Sequence, residues 1–276
     1  MMISAMLQPV EDASVAQWIV DSIHPFGQDI GSVVPPCFDA YARVFHPAGK
    51  GEGDEWTTVR WSDIAAANGK VIHPEMQFTS IVPRDCFDEP GLHSRGGQRG
   101  LWDWAPSEGE LPEHLAVALA GALVSFTNTP EHCYFAYWNG WGDPKPMMPP
   151  PIDQREQEAQ EQLYRSYRTG EVFKGTPREF RDVAVKFSIP GREYFLFEGA
   201  VSEVCTEWDG TGGGNLPTIW WPQDRAWCVA GDTDLDTTYV GGTRSCIDEL
   251  INTASFEALE IRLSASIGTD ALNSRD

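Results

Sequence analysis

The chain has 276 residues, of which 41% are hydrophobic, so it is long enough to bury one large core or two smaller ones. Its 41 acidic and 20 basic residues give a formal net charge of -21. Such an excess of carboxylates repels nucleic-acid phosphates and anionic membrane surfaces, and it attracts cationic partners such as basic proteins, metal ions or amines.

Targeting signals are missing from the sequence as it stands. Residues 1–14 contain neither the basic nor the apolar segment of a secretory signal peptide. No apolar run approaches the roughly 18 residues of a membrane span. The six cysteines form no Cys-x-x-Cys pair and lie mostly in apolar segments, as reduced core thiols do. The sequence therefore predicts a cytoplasmic protein.

Apolar spacing favours helices in the first part of the chain. A short helix is expected over residues 14–23, a second over residues 36–45, and a third from position 57 or 58 to 67. A His-Pro pair follows each of the first two segments and would end the helix, because a residue before proline is disfavoured in the α conformation.

The next part mixes loop, strand and helix signals. Residues 83–110 are rich in Pro, Gly and charge and are expected to form a long surface loop, with a short strand at 102–104. Helical spacing resumes over 111–126, where a proline occupies the first turn. Aromatic content predicts a strand over 133–138.

A proline-rich segment, residues 143–151, is the clearest linker, because five of its residues are proline. It divides the chain into a helix-rich half, residues 1–142, and a second half, residues 152–276. One continuous domain is the alternative interpretation.

The second half favours strands. An exposed helix is expected over 152–168, a hairpin from strands at 184–189 and 194–197, further strands at 226–233 and 238–240, and a helix over 244–251. The predicted fold class is α+β, with a helix-rich N-terminal half and an antiparallel sheet with flanking helices in the C-terminal half.

One stretch is denser in aromatic and charged residues than any other. It reads Trp220-Trp221-Pro222-Gln223-Asp224-Arg225-Ala226-Trp227, and Thr238-Tyr239-Val240-Gly241-Gly242 follows. The two runs resemble a signature of an actinobacterial family, and the segments 34–47 and 61–69 fit the same family. No activity is attached to that family, so the resemblance implies no catalytic residue.

The aromatic stretch supplies five candidate binding residues: Trp220, Trp221, Asp224, Arg225 and Trp227. Large aromatic side chains beside fixed charges indicate either a core that accommodates an ion pair or a recognition surface. In the first interpretation, Trp221 and Trp227 are buried and flank an Asp224–Arg225 pair that orders the loop. In the second, Arg225 is available to an anionic ligand.

Three alternating carboxylates, Asp232, Asp234 and Asp236, form a second candidate site. The pattern begins like an EF-hand loop, but Thr237 and Thr243 occupy the positions that require Gly and Glu. On a strand the three side chains would share one face and repel each other. Water around a solvated strand edge, an arginine or a divalent metal would relieve that repulsion.

The sequence contains no nucleophile elbow, phosphate-binding loop or zinc-protease motif, which favours a protein without catalytic activity. We consider two functional hypotheses. The first is a non-catalytic protein-binding module, such as an immunity- or antitoxin-like inhibitor of a basic protein. The alternative is a divalent-metal-dependent hydrolase centred on Asp232, Asp234 and Asp236. No cofactor, nucleic-acid partner or membrane partner is expected.

Overall fold

A computed structural model describes residues 7–51, 56–83, 86, 95–98, 100–109, 111–141, 184–205 and 216–267. Strands are the main element of these ranges. They are β1 (Gln8–Pro9), β2 (Ala40–Phe45), β3 (Ala48–Lys50), β4 (Thr57–Val59), β5 (Arg95–Gln98), β6 (Trp102–Trp104), β7 (Cys133–Trp138), β8 (Lys186–Ile189), β9 (Arg192–Gly199), β10 (Ile219–Pro222), β11 (Trp227–Ala230), β12 (Thr237–Gly242) and β13 (Ala258–Ile261).

The helices are short. The α-helices are α1 (Gln17–Ser22), α2 (Trp61–Ala67), α3 (Phe78–Ile81), α4 (Glu113–Leu123) and α5 (Arg244–Asn252). Single turns of 3-10 helix occur at Ala13–Ala16, Ile30–Ser32, Val124–Phe126, Asn139–Trp141 and Val201–Glu203.

Nine of the described strands form one antiparallel sheet in the order β1-β9-β7-β10-β11-β12-β2-β13, with β8 also paired to β9. Its strands come from both sides of the proline-rich segment. The β8–β9 hairpin turns at Pro190-Gly191, where Gly191 has a φ of 79°, a conformation that glycine adopts without strain. The predicted linker at 143–151 and the predicted helix at 152–168 lie outside the described residues.

Both faces of this large sheet are covered. Helices α4 and α5 pack on one face, against a cluster that includes Phe135, Trp220 and Trp227. Helix α1 and the segment around residues 30–34 pack on the other face, against a cluster that includes Trp221. A sheet buried on both faces has strands that are apolar throughout, and β10, β11 and β12 are buried at every position.

A second sheet, β4-β3-β6-β5, continues from the end of β2. Helices α2 and α3 pack with it around Trp61, Phe78 and Trp102. Trp61 joins this unit to the large sheet, because its indole N–H donates to the carbonyl of His46 at 2.7 Å and its backbone N–H donates to Glu257 at 2.8 Å.

The predicted α+β class with a helix-rich N-terminal half is wrong, because the described chain is mostly β. The clearest error is the helix expected at 36–45. Residues Ala40–Phe45 form strand β2, between β12 and β13, and all six are buried. A strand with both faces covered has an unbroken apolar run, which helical spacing fits by coincidence.

Several other local predictions are confirmed where the structure describes them, although the strand expected at 226–233 ends at Ala230 and the loop expected at 83–110 contains β5. The helix at 14–23 is present as a 3-10 turn followed by α1, and the helix at 111–126 as α4 followed by a 3-10 turn. The strands at 102–104 and 133–138, the 184–197 hairpin and the helix at 244–251 are also present. The helix expected from position 57 or 58 begins at Trp61, because residues 57–59 form β4 instead.

Trp227 tests the packing of the large sheet. Its ring is completely buried, and 5.3 Å separates its ring centroid from that of Trp220. Its indole N–H donates to the carbonyl of Leu123 at 3.1 Å. We expect Trp227→Ala to lower the free energy of unfolding by about 3–5 kcal/mol in urea denaturation. The control Val117→Ala, at a 56% exposed position on α4, should stay within about 0.5 kcal/mol. Equal effects of the two substitutions would contradict this packing.

Candidate functional site

Two groups of loops at opposite ends of the large sheet contain the predicted site residues. The β10–β11 turn, residues 223–226, lies at one end. The acidic loop, residues 231–236 between β11 and β12, lies at the other. The two candidate sites are therefore separated by the length of strand β11.

The three tryptophans of the aromatic stretch are core residues, each at most 1% exposed. Neighbouring residues of a strand point to opposite faces. Trp220 accordingly packs with Trp227 beneath α4, while Trp221 packs on the other face. There its ring centroid lies 6.1 Å from that of Trp18 and 5.6 Å from that of Tyr134. Burial of Trp221 and Trp227 is confirmed.

Asp224 and Arg225 form no ion pair in the described structure, so the expected pairing is wrong. Asp224 instead accepts hydrogen bonds from the Thr127 hydroxyl at 2.8 Å and from the backbone N–H groups of Asn128 at 2.8 Å and Ala226 at 3.1 Å. Burial opposes ionisation of Asp224, but these hydrogen bonds outweigh it and lower the pKa. Asp224 therefore ties the turn to the segment before β7.

Arg225 is exposed and adopts a φ of 57°, the left-handed conformation. It is the one residue other than glycine with positive φ among those described. The centre of its guanidinium lies 5.4 Å from the ring centroid of Trp18. Arg225 thus contacts an indole, as its sequence context indicates, but the indole belongs to α1 and not to Trp221 or Trp227.

The acidic loop does not present its carboxylates on one solvated strand face. Strand β11 ends at Ala230 and β12 begins at Thr237, so all three aspartates lie in the connection. Asp232 is only 4% exposed. Asp236 is half-buried, and Asp234 is exposed. The expectation of a solvated edge is therefore wrong for Asp232 and Asp236.

Arg192, the first residue of β9, neutralises two of these carboxylates. Its Nε and Nη2 donate to the two oxygens of Asp232 at 3.0 and 2.9 Å, and Nη2 also donates to Asp234 at 2.8 Å. The guanidinium lies 5.1 Å from the ring centroid of Phe26 and 5.6 Å from that of Trp138. Such a bidentate ion pair holds a carboxylate in a fixed orientation.

A second arginine faces the third carboxylate. Arg43 on β2 is 3% exposed, and its Nη2 lies 3.8 Å from Asp236. Its Nη1 donates to the carbonyls of Pro74 at 2.9 Å and Met76 at 2.7 Å. Burial raises the pKa of Asp236 to about 6, while Arg43 acts in the opposite direction and Glu108 adds to the rise.

Beside the acidic loop, His46 and Thr238 form a buried polar chain. His46 Nδ1 donates to the carbonyl of Ser107 at 2.8 Å, so Nε2 accepts from the hydroxyl of Thr238 at 2.9 Å. Burial lowers the pKa of His46 to about 4, and the neighbouring Arg43 lowers it further, against the effect of the Ser107 carbonyl. The imidazole is therefore neutral at pH 7.

This hydroxyl–imidazole–carbonyl chain has the connectivity of a nucleophile, a base and an orienting group. His46 and Thr238 are, however, only 1% and 3% exposed. The adjoining cavity, which Asp232 and Thr218 also line, has a volume of about 10 Å³. That is room for about one water molecule and for no substrate, so the chain is best explained as a satisfied core network.

No group of three or more His, Cys, Asp or Glu side chains among the described residues could hold a metal ion. Asp232 and Asp234 converge on Arg192, whereas Asp236 faces Arg43. Of the three means expected to relieve the repulsion, arginine is the one that the described structure shows.

Sequence reasoning missed Arg43, Arg192, His46 and Trp18. Arg43 carried a usable signal, because a single charge inside the apolar run Ala40–Phe45 has to find a partner if the run is buried. His46 was expected at a helix end, but it follows a strand. Arg192 and Trp18 had no sequence signal, since Asp232 and Trp221, which they contact, lie far from them along the chain.

The chain matches no protein-family model, no curated protein and no solved structure in these comparisons. Among the described helices, none combines the length and the apolar character needed to cross a membrane.

Asp232 and Asp234 make a matched pair for testing the Arg192 network. We expect Asp232→Ala to cost about 3 kcal/mol of unfolding free energy, because it leaves a largely buried guanidinium without its main partner. Asp234→Ala removes a carboxylate that is 69% exposed and should cost less than about 1 kcal/mol. Urea denaturation of both variants measures the difference, and a larger loss for Asp234→Ala would refute the assignment.

The acidic loop also predicts a pH dependence. An unfolded Asp titrates near pH 3.9, and Asp236 titrates at about 6 when folded. The folded state therefore binds the proton more tightly, and the stabilisation by protonated Asp236 is present below about pH 4 and lost by about pH 6. We expect the unfolding free energy of the wild type to fall, relative to that of Asp236→Asn, as the pH rises through this window.

The comparison with Asp236→Asn is necessary because His46 has the opposite slope. Its folded pKa of about 4 lies below the usual value of 6.5, so its contribution is present above pH 6.5 and lost as the pH falls towards 4. Chemical denaturation at several pH values gives both curves. A constant difference between wild type and variant would show that Asp236 does not titrate in this range.

Proposed function

We propose that this protein is a non-catalytic cytoplasmic binding module that recognises a basic protein through its surplus of carboxylates. Inhibitors of the immunity or antitoxin type, which neutralise a basic toxin, are the class of protein that this description fits. The observation that carries the proposal is that nearly all of the chain's described basic side chains are already bound to carboxylates and carbonyls of the same chain.

Nearly every described basic side chain is already bound within the chain. Arg43, Arg192, Lys186, Arg244 and Arg262 face carboxylates of their own chain. The others donate to backbone carbonyls: Lys50 to Gly100, Arg60 to Ala254 and Lys70 to Ser80. Among cations whose side chains are described, Arg225 alone donates no hydrogen bond to an oxygen. These cations are therefore not free to neutralise the remaining acids.

Many exposed carboxylates consequently lack a cationic partner among the described residues. They include Asp21, Asp63, Glu131, Glu198 and Glu249. A surface with a large uncompensated charge attracts and steers oppositely charged partners at low ionic strength. It repels polyanions for the same reason.

The carboxylates nearest the β10–β11 turn form the acidic surface that we favour, defined by Glu131, Glu198 and Asp224. Burial raises the pKa of the Cys133 thiol to about 12, and Asp224 and Glu131 both add to that rise. The pKa of Tyr134 is raised by burial and further by Glu198. The three carboxylates therefore lie near the start of β7, Asp224 and Glu131 beside Cys133 and Glu198 beside Tyr134. We propose that a single partner contacts all three.

The alternative, a metal-dependent hydrolase, gains no support from the described residues. The carboxylates on which it depends are held by Arg192 and Arg43. The neighbouring His46 and Thr238 are buried beside a cavity without room for a substrate.

Affinity capture with immobilised full-length protein tests the binding proposal. We expect a basic protein to be retained from source-cell lysate at about 0.05 M NaCl and released near 0.5 M, because salt screens surface charges. The variant Glu131→Gln/Glu198→Gln should retain at least tenfold less of it.

A matched control is Asp63→Asn/Glu249→Gln, which removes the same charge from helices α2 and α5. It should retain the partner as the wild type does. Retention of no basic protein at either salt concentration would refute the proposed function. Equal losses in the two variants would refute the assigned surface and leave net charge as the explanation.

A further inference from the structure

Arg225 combines a guanidinium that has no hydrogen-bonding or ionic partner among the described residues with a strained backbone conformation. Arg225 donates no side-chain hydrogen bond and joins no ion pair among the described residues, although the chain carries a twofold excess of acids. A non-glycine residue with positive φ costs free energy that the surrounding fold must offset. Glycine would serve this turn without strain, so an arginine here needs another reason.

The surroundings of Arg225 are aromatic and firmly supported. Its guanidinium lies over the half-buried ring of Trp18, and Trp18 packs edge-on against the fully buried Trp221 and against Phe38. Tyr134 also packs against Trp221, with 5.6 Å between the ring centroids. Stacking on an indole restricts a guanidinium while leaving the N–H groups at its edge free to donate.

We infer that Arg225, stacked on Trp18, is a binding point for a single carboxylate. A guanidinium recognises a carboxylate through two parallel hydrogen bonds, and arginine and tryptophan are both enriched at interface hot spots. That the carboxylate belongs to a partner protein rests on the proposed function. The partner's acidic side chain binds Arg225, while its basic side chains face Glu131 and Glu198.

The surrounding acids restrict which anion can bind. Tyr134 has its pKa raised by burial and by Glu198 and lowered by Arg225, so both charges act at one place. Arg225 similarly opposes the burial-driven rise in the pKa of Cys37. A polyanion such as nucleic acid would be repelled by the neighbouring carboxylates, whereas a single carboxylate between basic groups would not.

The test uses NMR of ¹⁵N-labelled full-length protein at low ionic strength, observing the Nε–H of Arg225 and the indole N–H of Trp18. The probe is N-acetyl-glutamate methylamide, and the uncharged N-acetyl-glutamine methylamide is its isostere. We expect the glutamate probe to shift both signals saturably, with a Kd of roughly 1–10 mM, as a single charged contact gives. The glutamine probe and a short single-stranded DNA should leave them unchanged.

Two variants separate binding from folding. Arg225→Gly suits the left-handed turn and should keep or raise the melting temperature, yet abolish the Trp18 shift with the glutamate probe. Arg262→Gln removes an arginine that is 84% exposed and sits 3.4 Å from Glu75, and it should bind the probe as the wild type does. Absence of a shift in the wild type, persistence of the shift in Arg225→Gly, or stronger binding of DNA than of the carboxylate would overturn the inference.

These outcomes are distinguishable from those of the capture experiment. Arg225-dependent probe binding without a retained basic protein would preserve the carboxylate site and refute the proposed function. Suppose instead that the retained basic protein binds Arg225→Gly as well as the wild type, and that the glutamate probe does not shift the Arg225 signal of the wild type. That result would preserve the proposed function and refute the carboxylate site.

Discussion

The interaction on which the rest of the structure depends is the burial of Arg43 in the middle of an apolar strand. Its guanidinium donates to the carbonyls of Pro74 and Met76, faces Asp236, and lies 4.8 Å from the ring centroid of Phe45. One side chain thereby links the large sheet, the unit around the small sheet and the acidic loop. A buried cation is tolerated only with such compensation, so these three parts have to assemble together.

The double covering of the large sheet limits which aromatic and charged residues are left at the surface for the proposed binding site. Helices α4 and α5 cover one face and α1 covers the other, so the aromatic side chains of β10 and β11 are buried in the core. What stays accessible is the turn that joins these strands, where Arg225 lies over Trp18. The aromatic stretch therefore has two parts. Its indoles hold the sheet together, and its turn presents a charged group to solvent.

The same distinction explains which sequence predictions succeeded. Elements with one exposed face, such as α4 and α5, have a pattern that periodicity detects, and tight turns such as Pro190-Gly191 have chemistry that can be recognised locally. Strand β2 has no exposed face, so its sequence lacks the alternation of apolar and polar residues that identifies a strand. The candidate residues were found, but their partners were not. Arg225 was assigned to the adjacent Asp224, and the three aspartates were assigned to one shared face.

The sequence by itself determined the charge balance, the burial of Trp221 and Trp227, the β8–β9 hairpin and the position of the helices that cover the sheet from 113 and 244 onward. These properties follow from composition and from contacts between residues close along the chain. Only the tertiary structure decided that Arg192 neutralises Asp232, that Arg43 faces Asp236 and that Arg225 stands over Trp18 without an acidic partner. Each of these contacts joins residues 40 or more positions apart, and pairing at that distance is set by strand order and register, which a periodic pattern does not encode.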